Sequence, residues 1–233
     1  NNIKDANHKK PNLLNIWKED IEIKFGEASA KSGELSFDSL KTATKALKKN
    51  EIDVLVTAPI NKASIQEKVP DFIGHTEFLQ GNFSGDALMI MISERMKIAF
   101  VTTHVPLTKV KKSITTENII LKTRKLHVTL IEDFGIRMPK IAVLGLNPHA
   151  GENGLLGEEE NKYIIPAIKK LKEEGIMTFG PYPADSFFTN KNLNTFDGIL
   201  SMFHDQGLTA FKTLSFNDGV NFTAGLNIIR TSP

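Results

Sequence analysis

"KIAVLGLNPH", residues 140–149, carries an apolar run into an Asn-Pro turn signal and stops on a histidine. An apolar run without strict alternation suits a strand covered on both faces, the normal condition of a parallel sheet. The same form recurs in "KIAFVTTH" (97–104) and "DGILSMFH" (197–204). Longer stretches with helical periodicity lie between such runs, at 116–134 and 158–175. A further one, 37–49, has Leu40, Ala43 and Leu47 on one face and the pair Asp38-Ser39 at its start, and leads into "IDVLVTAP" (52–59). Strands alternating with helices predict an α/β architecture with a mostly parallel sheet. "ALMIMIS" (87–93) is followed so closely by 97–104 that the two read as neighbouring strands, and the order leaves room for an antiparallel pair somewhere in the sheet.

Composition bounds the chemistry. The 233 residues are 40% hydrophobic and 24% charged, ordinary for a globular protein with a sizeable core. With 29 basic and 27 acidic side chains the net charge is +2, so no electrostatic footprint points to nucleic acid or a membrane surface. Cysteine is absent, which excludes disulfides and thiolate metal sites and leaves only nitrogen and oxygen ligands for any metal. No stretch has the length of an apolar membrane span, and the polar opening "NNIKDANHKK" lacks a signal-peptide core, so a cytoplasmic location is expected.

Three of the six histidines close the three apolar runs: His104, His149 and His204. In open α/β sheets ligands bind beyond the carboxyl ends of the strands, so these imidazoles are expected on one rim. Three neutral imidazoles hold a borderline-soft dication such as zinc and leave positions open for substrate. One histidine alone reads more simply as a hydrogen-bonded loop residue; three in the same setting favour the metal. His8 and His127 lack that setting and read as surface or helix residues.

Other candidates are individually weaker. His75 and Thr76 follow Gly74 in "GHTEFL", where Thr76 reads as a helix cap or, with His75, as a donor to an anionic group. Asp185 in "GPYPADSFF" reads as a helix N-cap or as a carboxylate that orients a base or takes a proton. Lys212, eight residues after His204 in an apolar neighbourhood, is a solvated lysine or a proton donor and phosphate contact. Asn221 and Arg230 lie in "NDGVNFTAGLNIIRTSP"; arginine is used elsewhere only at positions 95, 124 and 137, which favours an anion contact for Arg230. "GENGLLGEEE" (151–160) is neither a Walker loop nor a dinucleotide fingerprint, and its acidic end reads as a helix N-terminus.

Together "VTAPINK", "GHTEFL", "TTHVPL", "GLNPHAGE", "GPYPADSFF", "HDQG" and "GVNFTAGLNIIRTSP" resemble, in order and spacing, the 4-hydroxythreonine-4-phosphate dehydrogenases of pyridoxal phosphate biosynthesis, from about Val54 to the last residue. The resemblance implies a fold similar to isocitrate and isopropylmalate dehydrogenases, two α/β subdomains with a cleft between them, and NAD or NADP bound without a Rossmann fingerprint. It implies oxidation of 4-phosphooxy-L-threonine, with loss of CO₂ to give 3-amino-2-oxopropyl phosphate. His104, His149 and His204 would hold one divalent cation, zinc, magnesium or cobalt, at a site shared between the subunits of a homodimer. His75, Thr76, Lys212, Asn221 and Arg230 would contact substrate, and Asp185 or Lys212 would transfer protons; the cofactor contacts are not assigned.

Departures from the family pattern are Phe203, Ser186 and Asn227, where Tyr, Thr and Pro are more usual. Segments that normally precede and follow these motifs are missing, so a partial chain is expected. Residues 1–65 with 205–233 are assigned to a cofactor-side subdomain, and 66–204 to a central one carrying the metal ligands and the dimer interface. Competing readings are a dehydrogenase of threonate or erythronate 4-phosphate, a three-histidine metal hydrolase or aldolase, and a non-catalytic remnant that binds phosphorylated ligand.

Overall fold

The computed structural model describes residues 3–7, 9–22, 24 and 26–233; His8 lies outside them. Along the chain the strands are β1 (Val54–Val56), β2 (Gly85–Ile92), β3 (Lys97–Phe100), β4 (Ile141–Leu144), β5 (Thr178–Tyr182), β6 (Gly198–Ser201), β7 (Val220–Leu226) and β8 (Ile229–Ser232). The α-helices are α1 (Ala30–Lys48), α2 (Lys62–Gln66), α3 (His75–Gln80), α4 (Leu107–Ser113), α5 (Thr116–Glu132), α6 (Ile165–Glu173), α7 (Ala184–Phe187), α8 (Asn190–Thr195) and α9 (His204–Ser215).

Two compact units divide the chain, one of residues 1–86 with 226–232, the other of 87–225. These change-overs fall at 86/87 and 225/226, where the sequence reading put divisions at 65/66 and 204/205. In the first unit β1 pairs with β8 in parallel, Leu55 opposite Arg230. Helix α1 covers a core of Leu40, Leu47, Leu55, Ile65, Phe72 and Leu79. It starts at Ala30, seven residues before the expected start. The reason is a capping box: Ser29 accepts from the Ser32 amide, and the Ser32 hydroxyl accepts from the Ser29 amide. Asp38-Ser39, which imitates an N-cap in sequence, sits mid-helix, where Asp38 pairs with Lys41 one turn on.

The second unit carries six strands in the order β7-β2-β3-β6-β4-β5. Strands β3, β6, β4 and β5 run parallel to one another, and β2 runs antiparallel to β3 with Ile90 opposite Ala99. The α/β class with a mostly parallel sheet is therefore as the sequence implied, and β2–β3 is an antiparallel pair within it. Every residue of β4 and β6 is buried, which explains their lack of alternation. One face packs Ala99, Leu126, Leu130, Ile141, Val143, Leu171 and Leu200 together; the other packs Ile98, Phe100, Ala142, Leu144, Phe187, Ile199 and Phe211. Each such aliphatic side chain contributes roughly 1.5–3 kcal/mol by leaving water.

Helix α5 runs from its Thr115 cap much as its periodicity predicts. The stretch expected as one helix over 158–175 instead opens with a wide π-helical turn, Glu160–Ile164, before α6. Glu160 of this turn and Glu159 just before it hold a loop, as described below.

Candidate active site

Because β3, β6 and β4 are adjacent and parallel, their carboxyl ends share one rim. Three hydrogen-bond sets stitch that rim. The amides of Val101 and Thr102 donate to the carbonyls of Ser201 and Met202. The Thr102 hydroxyl donates to the Met202 carbonyl at 3.0 Å. Gln206 accepts from the Met202 amide at 2.8 Å and donates to the Gly145 carbonyl at 2.7 Å, so the glutamine of "HDQG" joins the ends of β6 and β4.

His204 is the first residue of α9, and its ring centroid lies 5.7 Å from that of His104. Its Nδ1 is 2.6 Å from Asp205 Oδ1, which fixes the ring and leaves Nε2 for another partner. His149, at the end of β4, is carried away from this pair by its own loop. Its Nδ1 faces Asp185 Oδ2 at 3.9 Å, ion-pair rather than hydrogen-bond range. Among the described residues no three His, Asp or Glu side chains of one chain gather as a metal-binding group. The donor set nonetheless suits a dication: two imidazoles side by side, with a carboxylate at hydrogen-bond distance from the Nδ1 of His204.

The loop that bears His149 has an unusual backbone. His149, Ala150, Gly151, Glu152 and Asn153 have φ of 53°, 51°, 79°, 41° and 56°, a left-handed turn. For the four non-glycine residues this costs about 1–2 kcal/mol each, so surrounding contacts must hold it. Glu160, 2% exposed, supplies them: its Oε1 accepts from the amides of Leu146 and Asn147, both at 2.7 Å, and its Oε2 from Asn147 Nδ2 at 2.9 Å. Glu159 accepts from the same Asn147 nitrogen at 2.8 Å and from Lys111 Nζ at 2.6 Å. Lys111 and Asn147 together hold its carboxyl down to about 2. The sequence reading took this acidic run for a plain helix start and missed the pair.

In the first unit a separate polar group forms at the ends of β1 and β8. Arg230, 4% exposed, donates through Nε and Nη2 to Thr57 Oγ1 at 3.0 and 2.6 Å. Thr57 is fixed in turn by its amide on the Thr231 carbonyl. Burial lowers the guanidinium's hold on its proton. His75 opens α3 and is pushed down to about 4, first by burial and then by the positive charges of Arg230 and Lys62. It is therefore neutral at pH 7. Lys62 reaches Gly74: a Cβ there would lie 3.5 Å from Lys62 Nζ and 2.9 Å from Glu77 Oε2. Lys62 closes "VTAPINK" yet was given no role from sequence. A cavity of about 840 Å³ opens beside Thr57 and His75 and is lined also by Ser32, Ser36 and Ile60.

Several expectations need correction. The N-cap of α3 is Gly74, with no side-chain cap, so Thr76 is not the cap; it lies in the first turn. Pro183 occupies the cap position of α7, so Asp185 is not an N-cap but an exposed first-turn residue facing His149. Lys212 is exposed in the last turn of α9 rather than in apolar surroundings. Asn221 is the second residue of β7, and its buried Oδ1 has no hydrogen-bond partner among the described residues, an acceptor waiting for a donor. His127 lies on α5 as expected, with burial lowering its proton affinity.

The sequence model of the family described as pyridoxal phosphate biosynthetic protein PdxA matches residues 1–233. The chain belongs to the PdxA family. Its PdxA relatives include a 4-hydroxythreonine-4-phosphate dehydrogenase of Bacteroides thetaiotaomicron, 44% identical over 236 residues, covering 100% of this chain and 65% of the relative. One from a Sulfurihydrogenibium species is 42% identical over 95% of this chain and 68% of its own length. Among solved PdxA structures, the 4-hydroxythreonine-4-phosphate dehydrogenase of Klebsiella pneumoniae superposes with a TM-score of 0.80 at 36% identity, over 90% of this chain and 63% of that one. The chain thus spans about two thirds of the length of the PdxA proteins it matches.

Proposed function

We propose that this chain carries the metal and substrate residues of an enzyme that oxidises the secondary hydroxyl of 4-phosphooxy-L-threonine with NAD or NADP, the product ketone then losing CO₂ to give 3-amino-2-oxopropyl phosphate. The observation that carries the reading is the pair His104–His204 at neighbouring parallel strand ends, with Asp205 on Nδ1 of His204. Relatives at 42–44% identity bearing that enzyme name support it.

His104, His204 and His149 are the residues that would hold a divalent cation, zinc, magnesium or cobalt, with His149 coming from the partner subunit of a homodimer. Bound there, such a cation lowers the pKa of a coordinated hydroxyl and stabilises negative charge on oxygen. Asp205, at hydrogen-bond distance from Nδ1, orients the His204 ring and leaves its Nε2 for the cation; Asp185 faces Nδ1 of His149 from 3.9 Å. The buried Arg230, with Thr57, His75 and Thr76, binds the substrate's anionic phosphate; the guanidinium fork is already oriented by Thr57 before ligand arrives. Asn221 Oδ1 accepts from a substrate N–H or O–H. Asp185 or Lys212, both exposed to solvent, moves the proton that carbon requires after CO₂ leaves. We assign the activity to the cytoplasm; among the described residues no helix is long and apolar enough to cross a membrane.

The test is reduced nicotinamide formation from 4-phosphooxy-L-threonine with added Zn²⁺, Mg²⁺ or Co²⁺, run beside threonate and erythronate 4-phosphate. NADH or NADPH from the amino-acid phosphate is expected. Preference for a sugar-acid phosphate moves the assignment to that substrate, and turnover without nicotinamide moves it to a metal hydrolase or aldolase.

A further inference from the structure

We propose that Glu160, braced by Glu159 and Lys111, is the positioning residue for His149, and thereby sets the affinity of the imidazole site for its cation. The inference rests on the metal reading above.

Five consecutive left-handed residues are unfavourable by themselves, so the shape of the loop, and with it the place of His149, depends on the contacts that anchor it. One end is Leu146-Asn147, directly before Pro148-His149, and both amides terminate on a single oxygen of Glu160. The interior of the loop is built around that side chain. A Cβ on Gly151 would lie 2.6 Å from Glu160 Oε2, and one on Gly145 would lie 2.8 Å from Ala150 Cα and 3.2 Å from Glu160 Oε1. A Cβ on Gly157 would meet Asn147 Nδ2 at 2.3 Å and Glu159 Oε2 at 2.8 Å. At these glycines a side chain would collide with the Glu160 or Glu159 carboxylate, or with the Asn147 amide and the Ala150 backbone beside them.

The clamp also reaches the element that follows His104. Lys111 lies on α4, whose first residue is Leu107, and it holds Glu159, which shares the Asn147 nitrogen with Glu160. The π-helical turn at Glu160–Ile164 is where such irregular backbone is often found, beside a functional loop. Outer residues that orient metal-ligating histidines typically shift metal affinity by about 10–100-fold when changed.

The experiment measures the Co²⁺ dissociation constant of the full chain at 25 °C by competition with a chromophoric chelator, alongside Tm. Glu160→Gln keeps the shape but places an amide nitrogen among N–H donors; it is expected to weaken Co²⁺ binding about tenfold or more. Lys111→Met, at a side chain 75% exposed, is expected to weaken it in the same direction. The exposed Glu158→Gln should leave it unchanged. A clamp that is merely structural lowers Tm while leaving the dissociation constant within about twofold of wild type, and that result overturns the proposal while the proposed function stands. Should Glu160→Gln fail to fold, Lys111→Met decides by the same criterion. Wild-type protein that binds no Co²⁺ overturns the metal reading and this inference with it.

Discussion

His75 shows how a single residue reports its surroundings. Its folded pKa of about 4 lies below the ordinary 6.5, because burial and the charges of Arg230 and Lys62 outweigh the opposing Glu77. Between those values the unfolded chain binds the extra proton and the folded chain does not, so stability rises with pH across the window. It is complete above pH 6.5 and is lost as pH falls through about 4. Urea midpoints measured across this range should show that dependence, and His75→Asn should flatten it. At Arg230 the charge and the fork are separable: Arg230→Lys keeps the charge but loses the Nε and Nη2 bonds to Thr57. It should raise KM for the phosphorylated substrate roughly 10–100-fold with a smaller effect on kcat. The sequence singles out Arg230 because arginine is scarce there, and His75 because glycine precedes it. Lys62 was not, since a lysine at a helix start resembles any solvated lysine until Gly74 is seen beside it.

At the scale of elements, close approach matters more than propensity. Gly33 sits inside α1, where glycine is unfavourable, because a Cβ there would lie 2.1 Å from the Ser64 carbonyl oxygen of α2. That neighbour is backbone and cannot step aside, so Gly33→Ala should destabilise the protein by about 1–3 kcal/mol, read as a lowered urea midpoint with unchanged m-value. Strands were the most legible elements: apolar runs without alternation at 141–144 and 198–201 are buried on every side. Helix starts were less so, because Asp38-Ser39 carries cap chemistry in the wrong place while the working cap is Ser29 with Ser32. The turn at 149–153 was invisible, since only one of its five residues is glycine and the contacts that force it come from Glu160.

For the whole molecule, the sequence placed three histidines at strand ends, and the adjacency of β3, β6 and β4 puts those ends on a common rim. Ring positions depend on loops, which periodicity does not encode; His104 and His204 adjoin, whereas His149 turns to Asp185. A site shared across a two-fold axis predicts complementation. His104→Asn and His149→Asn should each be inactive as pure proteins, while subunit exchange between them should restore about a quarter of wild-type activity, since half the dimers are mixed and each mixed dimer has one intact site. No recovery after exchange confirmed by native mass spectrometry would place all ligands on one subunit. Strand β1, finally, pairs with β8 and, among the described residues, with no second strand, and its Val54 and Val56 are 48% and 67% exposed. Short as it is, such an unpaired margin invites another strand, so these 233 residues prepared alone should self-associate as concentration rises, read as growing mass in sedimentation, and Val56→Lys should suppress the effect.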